Sequence, residues 1–264
     1  MRRAKNPLYY TPAMNSPGAW LRRALAGAIA ALSCLAAWPG EFLVDPIRLE
    51  LSAAVRSGVI SVRNEGKERL AFQMQGMEWT QDQQGKDVYA ETPELIFFPK
   101  LMTVEPGKEG IIRIGARLGA LPQEKTFRLF IEELPGVVPA ASGPQLNVLI
   151  RFGAPIFIKP AKTQDRIELE SVALAGGELS IVVHNSGNQH QVVEGIQLSG
   201  TDGQGRETYA LTLSDRYLLA GTRKRYTAAI PRDRCVQLAQ LAVDLKTDKT
   251  TVSRILDIGK AMCA

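Results

Sequence analysis

The sequence predicts an all-β protein built from two antiparallel β-sandwich domains, and three observations support this. Short runs with alternating apolar residues are separated by turns rich in Gly, Pro, Asn and Ser. No stretch of residues 41–160 shows a sustained helical period of apolar residues. A strand–turn–strand pattern around Asn64 and Gly66 recurs around Asn185 and Gly187, which indicates two domains of one architecture.

The first 40 residues are predicted to be a signal peptide. Two arginines precede the apolar run Ala24–Trp38, which is about as long as a signal-peptide hydrophobic region and short for a bilayer-spanning helix. We expect the mature, exported protein to begin between Leu35 and Phe42. Because the segment before the arginines is long, a translation start at Met14 is an alternative.

The formal charge of +5 comes from this leader. Residues 1–37 contain no acidic residue and five basic ones, which are Arg2, Arg3, Lys5, Arg22 and Arg23. These five account for the whole excess, so the rest of the chain is neutral. We therefore expect no nucleic-acid partner and no stable membrane insertion after signal cleavage.

Only Cys235 and Cys263 remain once the leader is removed. Export permits disulfides, and the two cysteines lack a metal-ligand spacing such as CxxC. We expect one bridge that closes the C-terminal domain.

The strands of the first domain are marked by alternation and turns. Gly58–Trp79 contains two strands around a turn, residues 101–118 alternate around Pro106-Gly107, and residues 125–134 place apolar side chains at every second position. Asn and Gly at the first turn are expected to supply positive-φ positions for a tight reversal.

The run Leu146–Phe152, read as LNVLIRF, is the most informative strand. Leu146, Val148, Ile150 and Phe152 fall on one face, after a Pro/Gly/Ser-rich loop. Two interpretations are open: a core strand of a sandwich, or a strand whose apolar row pairs with another protein at a sheet edge. The following GAPIFIKPAK is expected to end the strand.

The polar segment Lys159–Arg166 predicts a domain boundary. The domains are then 41–160 and 161–264, and the second domain continues as strands up to a tail that is compatible with strand or short helix.

Catalytic and metal-binding patterns are missing from the sequence. It contains no nucleophile elbow, phosphate-binding loop or dinucleotide glycine pattern. His184 and His190 have Asn and Gln as neighbours and are predicted to be surface-loop residues, not metal ligands. Glu132 and Glu133 are adjacent on a strand and face opposite sides. We expect no enzyme activity, no metal and no cofactor.

Arg48 lies on the first strand after the leader, in FLVDPIRLELS. It either projects into solvent or, held at a cleft, binds a carboxylate through two parallel hydrogen bonds.

The order of segments resembles a known family. FLVDPIRLELS, VISVRNEG, MEWTQD, ETPELIFFPKLMTVEPGKEGIIRIG, LPQEKTFRLFIEELP and LNVLIRFGAPIFIKP follow one another as in the N-terminal domain of periplasmic pilus chaperones of the chaperone–usher pathway. The resemblance covers residues 41–160 and is closest to the archaic and spore-coat-U-associated branch. The second half is similar mainly in VVHNSGNQH.

The resemblance implies two immunoglobulin-like domains arranged in an L. It implies that Leu146, Val148, Ile150 and Phe152 form a donor strand that completes a pilin-like subunit, which is then delivered to an outer-membrane usher. It also implies a periplasmic location and no cofactor.

Arg48 aligns with the family's cleft arginine, which anchors the client's terminal carboxylate. The family's cleft lysine is replaced here by Pro155, so Arg151, Lys159 and Arg113 are candidates to compensate for it. The alternative to a chaperone is an exported two-domain β-sandwich structural or surface protein without a client.

Overall fold

A computed structural model describes residues 42–117, 119–135 and 148–264 of the chain. The predicted signal peptide and Leu146 lie outside these residues.

The described residues form eighteen strands and two short helical turns. The first ten strands are β1 (Phe42–Asp45), β2 (Leu49–Leu51), β3 (Ser57–Asn64), β4 (Leu70–Gln81), β5 (Asp87–Glu91), β6 (Leu95–Phe98), β7 (Leu101–Val104), β8 (Glu109–Ala116), β9 (Lys125–Leu134) and β10 (Arg151–Ile158). They are followed by β11 (Ile167–Ala175), β12 (Glu178–Asn185), β13 (Gln191–Thr201), β14 (Glu207–Leu213), β15 (Tyr217–Leu218), β16 (Arg223–Ala229), helix α1 (Arg232–Cys235), β17 (Gln240–Thr247), β18 (Thr251–Asp257) and a 3₁₀ turn (Lys260–Cys263).

Strands β1–β10 form the first sandwich. One sheet has the order β1-β3-β8-β6, and the other has the order β2-β10-β9-β4-β5, with β7 also paired to β4. Strand β10 runs parallel to β2 and antiparallel to β9. A parallel pair requires a long connection, and here β2 and β10 come from opposite ends of the first sandwich.

Strands β11–β18 form the second sandwich. Its sheets have the orders β11-β12-β16 and β14-β13-β17-β18, with β15 paired to β13. The prediction of an all-β fold with two sandwich domains is therefore confirmed.

Each sandwich has its own apolar core, produced by period-two burial along the strands. In β9, the side chains of Phe127, Leu129 and Ile131 are fully buried and point between the two sheets. Ile156 and Ile158 of β10 join the same core. In the second sandwich, Leu179, Ile181 and Val183 of β12 are fully buried in the same way and form part of its core. The candidate site therefore lies on strands fixed by their buried faces.

The repeated Asn/Gly turns differ from the prediction. They connect strands of different sheets, β3 to β4 and β12 to β13, so they are corners and not hairpins. No described residue other than glycine has positive φ, and Gly66 and Gly187 do not have it either. The asparagine side chains shape the corners instead.

The two corners use the same hydrogen bonds. Asn64 is fully buried; its Nδ2 donates to the carbonyls of Glu68 (2.7 Å) and Val104 (2.9 Å), and its Oδ1 accepts from the Gly66 N–H. Asn185 is also buried and binds the carbonyls of Gln189 and Leu218 and the N–H of Gly187 in the same way. A buried amide satisfied on both sides explains why asparagine stands at each corner.

The strand predicted at Leu146–Phe152 lies further along the chain. Residues 148–150 are not in a strand, and β10 runs from Arg151 through Gly153 and Pro155 to Ile158. The segment that was expected to end the strand therefore forms most of it.

Candidate functional site

One edge of β10 is only partly covered. The strand pairs along its whole length with β9, from Arg151 opposite Glu132 to Ile158 opposite Lys125. On its other side β2 reaches only Ile156–Ile158. Within the described part of the chain, residues 151–155 have no strand on that side. Unpaired N–H and C=O groups of this kind are able to pair with a strand of another protein.

The described residues of the predicted apolar row, Val148, Ile150 and Phe152, do not share one environment in the structure. Val148 is 72% exposed, and Phe152 is half-buried against the first core. Ile150 lies between them, half-buried, and its carbonyl accepts the N–H of Glu133 at 3.0 Å. Val148 thus meets solvent, whereas Phe152 contacts the protein's own core.

Pro155 does not interrupt the β9–β10 ladder, because its backbone nitrogen faces the other side. The Lys159 N–H donates to the Leu51 carbonyl on β2 at 2.8 Å. Backbone groups alternate in direction along a strand, so the nitrogens of Phe157 and Pro155 point towards the same side. Proline is tolerated where it faces a sheet edge.

Arg48 and Lys159 converge on Glu50. Arg48 Nη2 lies 3.7 Å and Lys159 Nζ 2.5 Å from the Glu50 carboxylate, and all three side chains are substantially exposed. The expectation that Arg48 lies on a strand is wrong: Arg48 is in the bend that precedes β2, whose first residue, Leu49, is registered with Ile156 of β10. Partial burial alone would raise the pKa of Glu50, but the hydrogen bond and charge of Lys159, together with Arg48, hold it below its ordinary value. The group is a small cationic surface with one resident carboxylate.

The other two compensating candidates lie elsewhere. Arg151 starts β10, stacks on Phe130 at 4.0 Å and lies 3.7 Å from Glu132. Arg113 is exposed on β8, in the opposite sheet, registered with Val59. Of the three, only Lys159 is brought together with Arg48.

Arg128 is a cation of the site that the sequence reasoning missed. It stands directly opposite Pro155 in the β9–β10 register. Its guanidinium stacks on the Trp79 ring at 3.9 Å and donates from Nη1 to the Gly153 carbonyl at 3.2 Å. A Cβ at Gly153 would lie only 3.2 Å from Arg128 Cδ, so glycine makes room for this side chain. The alternation of apolar residues along β9 predicts that Arg128 lies on the outer face of the sheet. Which residues it contacts there depends on how β9 is paired with its neighbouring strands, and the sequence does not show this pairing.

The outer face of this sheet packs against the second sandwich. Trp79 and Phe157 are buried with Tyr217 and Leu219, and ring centroids of Trp79 and Tyr217 are 5.5 Å apart. The Gln81 side chain bonds the Tyr217 carbonyl and the Leu219 N–H, both at 2.9 Å. The two sandwiches therefore share an apolar joint reinforced by backbone-directed hydrogen bonds.

His190 belongs to this joint, so its assignment to a surface loop is wrong. It is 7% exposed, and its ring stacks on Phe157 with centroids 3.7 Å apart. Its backbone N–H donates to Glu124, and its Nδ1 lies 2.8 Å from the same carboxylate oxygen. His184 lies on β12 and not in a loop, 3.4 Å from Glu168. The burial of His190 is not visible in the local sequence, because its partners Glu124 and Phe157 are more than 30 residues away in the chain.

The predicted disulfide is confirmed. Cys235 of α1 and Cys263 of the 3₁₀ turn are bonded, with Cα atoms 5.7 Å apart, and both are buried in the second core. The bridge fastens the end of the chain to the second sandwich.

Among residues 42–117, 119–135 and 148–264, no three His, Cys, Asp or Glu side chains are grouped to hold a metal ion. In the same residues no helix has the length and apolarity needed to span a membrane.

Residues 41–164 match the family model of the pili and flagellar-assembly chaperone, PapD N-terminal domain. No curated protein matches the sequence significantly.

Solved structures show the same fold over most of the chain. The chaperone–tip subunit pre-assembly complex of the archaic chaperone-usher Csu pili of Acinetobacter baumannii is similar, with a TM-score of 0.55 and 18% identity over 81% of this chain and 98% of that one. The class 5 fimbriae chaperone CfaA matches with a TM-score of 0.52 and 14% identity over 81% and 98%. The Salmonella enterica SafA pilin–SafB chaperone complex matches with 0.51 and 15% identity over 84% and 99%.

Proposed function

Residues 41–164 belong to the pilus-assembly chaperone family, and from this premise we propose that the chain is a non-enzymatic periplasmic chaperone of pilin-like subunits. It holds a subunit by lending it the free edge of β10 and then delivers it to an outer-membrane usher. No cofactor or nucleotide is needed, because one strand pairing is exchanged for another.

The observation that supports this proposal is the uncovered edge of β10 with an exposed valine before it. Within the described residues, no strand pairs with residues 151–155 on this side, although the Gly153 carbonyl accepts from Arg128 and Pro155 is buried, and Val148 is 72% exposed. A subunit that lacks a strand presents a complementary edge and an apolar groove, both of which favour aggregation when left open. Each apolar side chain fully buried in such a groove contributes about 1.5–3 kcal/mol. The net free energy is smaller, because ordering the segment costs entropy.

The Arg48–Glu50–Lys159 group is proposed as the carboxylate anchor. Arg48 directly precedes β2, which pairs with β10 at the inner end of the free edge, and Lys159 directly follows β10. A client carboxylate placed here would replace Glu50 as the partner of the two cations. Lys159 thus takes the role that the lysine at the Pro155 position has in the family.

A second surface supports delivery to an usher. The outer face of the β1-β3-β8-β6 sheet carries exposed apolar side chains around Arg113; they are Leu43, Val59, Ile96, Phe98 and Ile111. A solvent-facing sheet face is usually polar, so a patch like this is typical of an interaction site. It lies on the other sheet from β10 and stays free when the β10 edge is occupied.

The experiment that tests strand donation is Val148→Asp. Because Val148 meets solvent, the free energy of unfolding of the isolated variant should change by less than about 1 kcal/mol. In a complex, the carboxylate would enter an apolar groove without a partner, which is costly, so client recovery in a periplasmic pull-down should be lost. Val236→Asp makes the same chemical change at a 42% exposed valine of the second sandwich and should keep client recovery.

Two outcomes would contradict the proposal. A Val148→Asp variant that unfolds on its own would place this segment in the protein's own core. A well-folded variant that recovers clients as the wild type does would show that clients bind without the Val148 segment. A wild-type protein that recovers no client would favour the structural-protein alternative.

A further inference from the structure

The free edge of β10 offers an incoming strand fewer hydrogen bonds than its length suggests. The Ile150 carbonyl accepts an N–H of β9, and backbone groups alternate in direction along a strand. Those of Arg151, Gly153 and Pro155 therefore point to the uncovered side. Pro155 has no N–H to present there. The Gly153 carbonyl already accepts from Arg128 Nη1 at 3.2 Å. The middle of the free edge is thus closed by a side chain of the neighbouring strand.

Gly153 allows Arg128 to reach this carbonyl. Arg128 lies on β9, and the carbonyl that it binds points away from β9, so the side chain has to pass over β10. A Cβ at Gly153 would lie 3.2 Å from Arg128 Cδ and 3.1 Å from Phe130 Cε1, both shorter than ordinary van der Waals contacts. Because glycine has no Cβ, the path of the arginine stays open.

The guanidinium has a second acceptor within reach. Arg128 Nη2 lies 3.7 Å from Asp87 Oδ2, which is longer than a charge-assisted hydrogen bond. Its Nε is buried and has no acceptor among the described residues, although buried donors are normally paired. A small movement towards Asp87 would permit two parallel hydrogen bonds to the carboxylate. The Trp79 ring, 3.9 Å from the guanidinium carbon, gives this movement a flat surface.

A cap on an edge carbonyl has a clear physical use. Unpaired N–H and C=O groups of an edge strand pair readily with any other strand, including that of a second copy. A side-chain donor that occupies one carbonyl in the middle of the edge makes such pairing less favourable. It does not prevent pairing, because the arginine can be displaced.

We propose that Arg128 is a specificity-determining residue for strand pairing at β10, because it caps the Gly153 carbonyl until a strand long enough to replace it arrives. The incoming strand donates a backbone N–H to Gly153, and the guanidinium moves to Asp87. One hydrogen bond is thus exchanged for another. A strand that reaches only the outer end, near Val148, leaves the cap closed. The inference rests on the proposed function for the identity of the strand.

An uncharged peptide tests the cap. The probe is acetyl-SVTVTVS-amide, which alternates polar and apolar residues and has no carboxylate, so it has no charge to attract an arginine. Its affinity is measured by fluorescence polarisation of a dye-labelled form. Arg128→Met keeps an apolar stem over Gly153 but removes the donors, and it should bind the peptide about tenfold more tightly than the wild type. Asp87→Asn removes the second acceptor and should bind it severalfold more weakly.

Tryptophan emission reports the movement of the guanidinium. With Trp20 and Trp38 changed to phenylalanine, Trp79 is the only tryptophan of the chain. Because Arg128 stacks on its ring, the peptide should change Trp79 emission saturably in the wild type. In Arg128→Met the change should be smaller, although the binding is tighter.

Matched controls make the same changes in the second sandwich. Arg225→Met alters an exposed arginine that bonds Ser180, and Asp233→Asn alters an aspartate whose side chain is 76% exposed. Both should bind the peptide as the wild type does. Asp87 is exposed, so Asp87→Asn is expected to fold and gives a result even if Arg128→Met does not.

Three results would overturn the cap. Weaker peptide binding by a folded Arg128→Met would make Arg128 part of the contact surface. Wild-type affinity in both Arg128→Met and Asp87→Asn would show that neither residue controls the edge. A peptide that binds neither the wild type nor a folded Arg128→Met would show that removing the arginine opens no usable edge.

The chaperone function is judged by a different measurement, client recovery from periplasm. If the peptide affinities follow the expected order but the wild type recovers no client, the cap stands and the chaperone function fails. If clients are recovered but peptide affinity is independent of Arg128 and Asp87, the chaperone function stands and the cap is refuted.

Discussion

Glu50 is an internal competitor at the proposed anchor. Its carboxylate holds Lys159 at 2.5 Å and Arg48 at 3.7 Å on the outer face of the β2–β10 pair. These groups are exposed, so the ion pairs add little to stability. Their effect is to keep two flexible cations oriented, while any incoming carboxylate has to displace Glu50.

Opposite effects are expected from Arg48→Ala and Glu50→Gln. Arg48→Ala removes a cation and should strongly reduce client capture, with a change of unfolding free energy within about 1 kcal/mol. Glu50→Gln removes the competitor and should increase capture. Pull-down of clients from periplasm at low ionic strength measures both. If the two variants change capture in the same direction, Glu50 is part of the client contact and not a competitor.

The corner asparagines are structural residues with matched roles. Each buried amide satisfies two carbonyls that would otherwise be unpaired between the sheets. Asn64→Ala or Asn185→Ala should cost about 1–3 kcal/mol or more, since buried carbonyls lose their donors. Urea unfolding measures this, with the exposed Gln237→Ala as the control. A cost as small as that of the control would show that water replaces the amide.

At the scale of the elements, strand positions were predictable and strand partners were not. Alternation identified β9 through Phe127, Leu129 and Ile131, because burial on one face leaves a period of two in the sequence. Nothing local distinguished a hairpin from a corner at Asn64, since both need a polar, glycine-containing turn. Which strands pair with one another depends on which strands pack around the same core, and this is not visible in a short stretch of sequence.

The candidate site shows the same division. Arg48 was found from its PIR context, but Arg128 and His190 were missed, because each acquires its role from a distant strand. Arg128 meets Trp79 and Gly153, and His190 meets Glu124 and Phe157. The start of β10 was misplaced, because a proline inside a strand usually argues against it. Only the direction of its missing N–H explains why Pro155 is tolerated.

The disulfide is an element-scale constraint on the second sandwich. It joins residues separated by 28 positions, and closing such a loop stabilises by about 3–4 kcal/mol in the chain-entropy model. Replacing Cys235 and Cys263 by serine should lower the unfolding free energy by about that amount. Denaturant melts followed by circular dichroism measure the loss. Reductant should have no effect on the double variant, and equal stabilities of variant and wild type would contradict the prediction.

Across the whole molecule, the two sandwiches form a connected unit through a small set of buried groups. Phe157 belongs to β10, and on the opposite side of the joint it meets His190 and Tyr217. Strand β10, which is proposed to pair with a client, is therefore also the strand that packs against the second sandwich. Phe157 and the free-edge residues 151–155 lie on the same strand, so a change in the packing of Phe157 is expected to displace the free edge.

If the chain is exported as we propose, the parallel pairing of β2 with β10 also determines when the first sandwich can be completed during export. Leu49–Leu51 would then cross the membrane early, but their partner Ile156–Ile158 lies about a hundred residues later in the chain. Contacts this distant in sequence form late, since loop closure precedes them. The edge proposed for a client therefore does not exist while the first half is still crossing. On the proposed function, a chain whose translocation stalls before Ile158 would lack the edge that holds a subunit, so client binding would report that export has passed this point.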